Sequence, residues 1–120
     1  MSDFDSGWVG SNPIANLAVT AIAGGSVSGV NASSQTTVVT YTAAANKLVS
    51  LISVSGTVYA KFQLYLNTVL LETRRGGPDR TLTFEFNKPL QLNTGNILDV
   101  KVTHYQTGNT AEFESTVYGG

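Results

Sequence analysis

The sequence predicts an all-β fold, a two-sheet antiparallel sandwich of the jelly-roll kind with an extended N-terminal arm. Two observations carry that expectation. Between residues 60 and 86 apolar and polar residues alternate, with Phe62, Leu64 and Leu66 set against Lys61, Gln63 and Tyr65, and Leu82, Phe84 and Phe86 against Thr81, Thr83 and Glu85. A period of two marks a strand with one buried face. Runs of this type recur along the chain between turns rich in Gly, Asn and Pro, and no window has helical periodicity.

The elements follow in order. Residues 1–16 read as an arm, interrupted by Gly7, Gly10 and Pro13, with Trp8 as its large anchor. Residues 17–120 form the sandwich domain. Residues 17–22 are the first strand, closed by Gly24-Gly25, and 27–30 a short second. The segment 36–42 is rich in β-branched residues, which suit a pleated backbone. Residues 43–46 turn the chain into 47–54, where apolar residues stand at both parities, as in a central strand covered on both sides. Ser55-Gly56 leads into 58–66, and Asn67-Thr68 is a tight turn into 69–73, which makes a hairpin. Gly76, Gly77 and Pro78 place residues 74–79 in a loop. Strands at 80–86, 90–92 (opened by Pro89), 97–104 and 111–118 complete the series. About eight to ten short strands at this spacing suit a sandwich or barrel, and two sheets of about four strands suit a jelly roll.

Composition narrows the function classes. Hydrophobic residues are 42% and charged residues 12% of the 120, the latter about half the usual share of roughly 25%. Ser, Thr, Asn and Gly fill the polar positions, as on a surface covered by neighbouring subunits or on a protein working outside a cell. A formal net charge of −1 argues against nucleic acid as a partner, because phosphate binding takes a basic excess. Without cysteine, disulfides and thiolate metal sites are excluded. Asp3 and Asp5 stand where a secretory leader would carry Lys or Arg, and no apolar run is long enough to span a bilayer. The expectation is synthesis in the cytosol and no membrane partner.

No catalytic, cofactor-binding or metal-binding set is expected. His104 is the only histidine; a triad needs a nucleophile and an orienting acid beside it, so a strand-end or interface role is the expectation. Glu85, Asp99, Glu112 and Glu114 fall on polar strand faces, as solvated residues or cross-strand partners of Lys61 and Lys101. The glycine-rich run 24–29 lacks the Lys-Ser/Thr of a phosphate loop, and Asn31-Ala32-Ser33 matches the glycosylation pattern by chance. Arg74, Arg75 and Arg80 bracket the Gly-Gly-Pro-Asp segment as the one positive cluster, suited to a carboxylate patch on a neighbour or an anionic glycan, with Glu72 and Asp79 as the alternative local partners. Trp8 either folds back onto the sandwich or docks into a partner. The five tyrosines, at 41, 59, 65, 105 and 118, are expected to pack with the hydroxyl at the water boundary, some of them lining a sugar-binding surface.

The phrases at 41–47, 51–56, 60–67, 90–95, 100–104 and 113–119 resemble small β-sandwich virion proteins of tailed bacteriophages, over roughly residues 36–119. Several of those proteins have Asn-Gly at the turn where this chain has Asn67-Thr68. The resemblance implies a non-enzymatic capsid decoration or cement protein, often a homotrimer, that stabilises contacts between subunits of the major capsid protein. Its alternative is a receptor- or glycan-binding module of a tail fibre or head spike. Trp8, Arg74, Arg75 and Arg80 are the candidate partner-interface residues.

Overall fold

The computed structural model describes residues 20–78 and 81–120. Within them lie eight strands: β1 (Ala21–Asn31), β2 (Thr36–Thr42), β3 (Lys47–Gly56), β4 (Ala60–Leu66), β5 (Val69–Gly76), β6 (Leu82–Leu92), β7 (Ile97–His104) and β8 (Thr110–Gly119). The expected arm, with Trp8, lies outside the described residues, as does Arg80.

The pairings have a simple logic. β1 pairs with β8, β2 with β7, β3 with β6 and β4 with β5, all antiparallel, as in one long folded-back ribbon. The ribbon then wraps so that β8 also pairs with β3 and β7 with β4. Two four-stranded sheets result, β1-β8-β3-β6 and β2-β7-β4-β5. This is the jelly-roll connectivity that the strand count predicts.

The alternation does what the sequence leads one to expect. Phe62, Leu64 and Phe84 are buried, and Leu66, Leu82 and Phe86 are half-buried against the same core. From β7 come Leu98, Val100 and Val102, and from β8 Ala111, Phe113 and Val117. Phe113 joins the sheets: its ring stands edge-on to Phe62 at 5.7 Å between centroids and 82° between planes. A Cβ on Gly56 would run into that ring, so the end of β3 takes glycine to admit it.

Three expectations change. Residues 17–22 and 27–30 belong not to two strands but, from Ala21 onward, to the single strand β1. Gly24-Gly25 sits inside it, where a Cβ on Gly25 would meet the Val38 carbonyl of β2 in the other sheet. The glycine allows close backbone approach rather than a turn. Residues 80–86 and 90–92 likewise join, from Leu82 onward, as β6. Its Pro89 is tolerated because β6 is the edge of its sheet and its pairing with β3 shifts register between Glu85 and Leu90. Finally, the double parity of β3 reflects a bulge. Register shifts against both neighbours between Val49 and Leu51, so Val49 and Ile52 both turn inward while Leu51 lies half-exposed on the outer face. Ser50, the extra residue, donates its hydroxyl to the Tyr118 carbonyl at 3.2 Å.

His104 ends β7, fully buried, 6.0 Å from the Phe113 ring. Its Nε2 lies 2.7 Å from the Val30 carbonyl oxygen, and its Nδ1 accepts from the Gln106 N–H at 3.2 Å. The neutral ring with the proton on Nε2 satisfies both bonds and ties β7 to β1 across the sheets. His104→Phe keeps a planar ring, slightly larger, but leaves the buried Val30 carbonyl without its donor, at about 1–3 kcal/mol, and the Gln106 amide without its acceptor. Urea unfolding should show a loss of about 3 kcal/mol; a loss under about 0.5 kcal/mol would contradict this reading of the ring.

Candidate interaction surface

Each sheet ends in strands with one unpaired side, and the two lateral openings of the sandwich differ. On one side β1 lies against β2, closed by the Gly25–Val38 approach. On the other, β5 and β6 barely touch. Among the described residues the inner edge of the sandwich is therefore open along β5.

The strand β5 is built in two halves. Its register places Val69 opposite Leu66, Glu72 opposite Leu64 and Arg74 opposite Phe62, all partners that face the core. Leu70 and Arg75 pair with Tyr65 and Lys61 on the outer face, and the shift between Leu64 and Tyr65 leaves Leu71 as the bulged residue. In the second half, Arg74 Nε donates to Glu72 Oε2 at 2.6 Å. Charged side chains pointing toward the inner side of an edge strand hinder pairing with another sheet. The first half has no such guard: Val69 is 62%, Leu70 46% and Leu71 44% exposed, and Ile97, on β7 beyond β4 and bonded to Asn67 of the hairpin tip, is 40% exposed.

The hairpin tip fixes this apolar half in place. Asn67 and Thr68 have φ of 49° and 68°, so the two-residue turn is of the primed type expected between twisted strands. Asn67 accepts the left-handed conformation readily, and its Oδ1 takes a hydrogen bond from the Ile97 N–H at 2.9 Å. Its own N–H donates to the Ile97 carbonyl at 2.8 Å. Thr68 is β-branched and strained at positive φ. The primed turn is thus made here at a cost in strain.

The candidate residues read from sequence are partly brought together. Arg74 and Arg75 belong to β5 rather than to a loop, because pairing with β4 continues to Gly76 opposite Ala60. Adjacent in a strand, they face opposite sides, so they do not act as one claw: Arg74 engages Glu72, and Arg75 stands opposite Lys61. Arg80 and Trp8 lie outside the described residues. Val69, Leu70 and Leu71 were not among the sequence candidates, although three successive apolar residues after a tight turn break the alternation.

Elsewhere, an open pocket of about 450 Å³ lies beside the end of β3, lined by Ser26, Ser28, Ser55, Thr57, Glu112 and Glu114 among others. Glu112 and Glu114 are neighbours on the outer face of β8, with hydroxyls around them. Among the described residues no group of three or more His, Asp or Glu side chains is placed to hold a metal ion, and no helix is long and apolar enough to cross a membrane.

Thr68→Gly should relieve the strain at the hairpin tip and raise stability by about 1 kcal/mol, read as a higher urea midpoint at unchanged slope. A lower midpoint would show that the threonine side chain makes a compensating contact. No protein-family model matches this chain, and no curated protein is significantly similar to it, so its function is read from fold and surface.

Proposed function

We propose that the chain is a non-catalytic structural protein of a phage virion, a capsid decoration or cement protein that works as a homotrimer and stabilises contacts between major capsid subunits. The observation that carries this reading is the β5 edge, where Val69, Leu70 and Leu71 stand exposed in succession, with Ile97 exposed near the hairpin tip. Apolar edge strands invite pairing, and natural proteins guard them or cover them. Here one half is guarded by Glu72 and Arg74, and the other is left for a partner.

The mechanism is mechanical. An interface of ordinary size takes about 800 Å² from each partner, so the four apolar side chains form its centre and Asn67 and Thr68 part of its rim. Surface buried at a junction must be re-exposed before the junction opens. The arm, with Trp8 as an anchor, adds a second tethered contact and hence avidity. The alternative, a receptor- or glycan-binding module of a fibre or spike, draws on a different surface, the outer face of the β2-β7-β4-β5 sheet.

Two measurements test the decoration reading. The double variant Val69→Asp/Leu71→Asp should keep its far-ultraviolet circular dichroism yet sediment as a monomer and fail to bind capsids; unchanged assembly and binding would overturn the role of the edge. Deleting residues 2–16 should abolish capsid occupancy while the sandwich stays folded; unchanged occupancy would remove the arm from the account.

A further inference from the structure

The described charges divide unevenly between the sheets, although Lys47 of β3 and Lys88 of β6 stand in the same sheet as three glutamates. The outer face of the β1-β8-β3-β6 sheet carries Glu85, Glu112 and Glu114. The outer face of the β2-β7-β4-β5 sheet carries Lys61, Lys101 and Arg75, with Asp99 as its one carboxylate, already accepting from the Thr40 hydroxyl at 2.7 Å. None of its three cations forms an ion pair with a described residue.

The basic face has more than charge. Lys101 Nζ stands 5.0 Å from the centre of the Tyr65 ring, and Lys61 Nζ 5.9 Å from that of Tyr105, which is 58% exposed. Gln63, directly opposite Lys101 in register, lies between these pairs. Gln35 Nε2 donates to Gln63 Oε1 at 3.0 Å and to the Tyr65 hydroxyl at 3.2 Å, and Gln63 Nε2 donates to Thr73 Oγ1 at 3.5 Å. The amides are thus held in fixed orientation across the face before any ligand arrives, which lowers the ordering cost of binding.

We propose that this face binds an anionic, carboxylate-bearing polysaccharide. The ammonium groups of Lys61 and Lys101 and the guanidinium of Arg75 would meet sugar carboxylates. The Tyr65 and Tyr105 rings offer an apolar surface to pyranose C–H groups. The remaining donors and acceptors of Gln35 and Gln63 match sugar hydroxyls, each of which both donates and accepts. A second copy presenting its Glu112 and Glu114 face would also satisfy the charge, but its Ser- and Thr-rich surface leaves the rings and ordered amides without a purpose. The proposal does not rest on the capsid reading, since none of its residues belongs to the exposed β5 tip.

The test is titration of the full chain with oligogalacturonate at physiological salt, followed by amide chemical shifts, with neutral dextran and single-stranded DNA as comparisons. Saturable binding should perturb β4 and β7 and be absent with dextran. The affinity should fall about tenfold in Lys61→Gln/Lys101→Gln, as expected for lost charge-assisted hydrogen bonds. Tyr65→Ala should weaken binding in a way that added salt does not mimic. The absence of saturable binding, or undiminished binding by the lysine variant, would overturn the proposal. Equal affinity for single-stranded DNA would reduce it to a general attraction for polyanions. Concentration-dependent self-association of the chain alone, abolished by the same lysine changes, would assign the face to a second copy instead.

Discussion

The edge-on contact between Phe62 and Phe113, extended by His104, is the interaction on which the other features depend. Phe62 belongs to one sheet and Phe113 to the other, so their packing sets the spacing and mutual rotation of the two layers. A buried aromatic pair of this geometry adds about 0.5–1.5 kcal/mol beyond the area it covers. Its larger consequence is geometric. Gly56 must lack a side chain to admit Phe113, and His104 must sit in a fixed tautomer to hold Val30 and Gln106. The small, charge-poor core therefore has one defined arrangement where a set of aliphatic residues alone would permit several.

Fixing the layers at that end makes the two lateral edges unequal. Gly25 lets β1 approach β2 until their backbones almost touch, which closes one side. The other side is left to β5 and β6, which barely touch among the described residues. The Glu72–Arg74 pair guards half of β5, and the strained Asn67-Thr68 turn holds the apolar half outward. A fold that closes one edge and guards part of the other directs association to the remaining part. The flat outer faces of the sheets, one carrying exposed glutamates and the other Lys61, Lys101 and Arg75, stay available for other partners.

Much of this was legible in the sequence, and the reasons are specific. The inward set from Phe62 to Phe86 followed from alternation because both strands face one core across a single layer. The jelly-roll class followed from the number and spacing of strands. What was not legible depended on contacts distant in sequence. Gly24-Gly25 looks like a turn until Val38 is known to lie beneath it. Pro89 looks like a strand boundary until β6 is known to be an edge. Ser50 looks like an ordinary strand residue until its neighbours reveal a bulge. Arg74 and Arg75 look like a loop cluster because Gly76, Gly77 and Pro78 follow, whereas pairing with β4 carries the strand past them. The exposed tip of β5 was written in the run Val69-Leu70-Leu71, but a short apolar run is equally the mark of a buried strand, and only the topology decides between them.

The central claim is that the first half of β5 is covered by a partner when the protein is at work. Amide hydrogen exchange, measured on the chain free and dilute and again on assembled particles, tests it directly. The account predicts that residues 69–71 exchange quickly in the dilute chain and become protected on assembly, while β3 and β8 are slow in both states. Protection that appears on another element, with residues 69–71 as fast in the particle as in free solution, would contradict it.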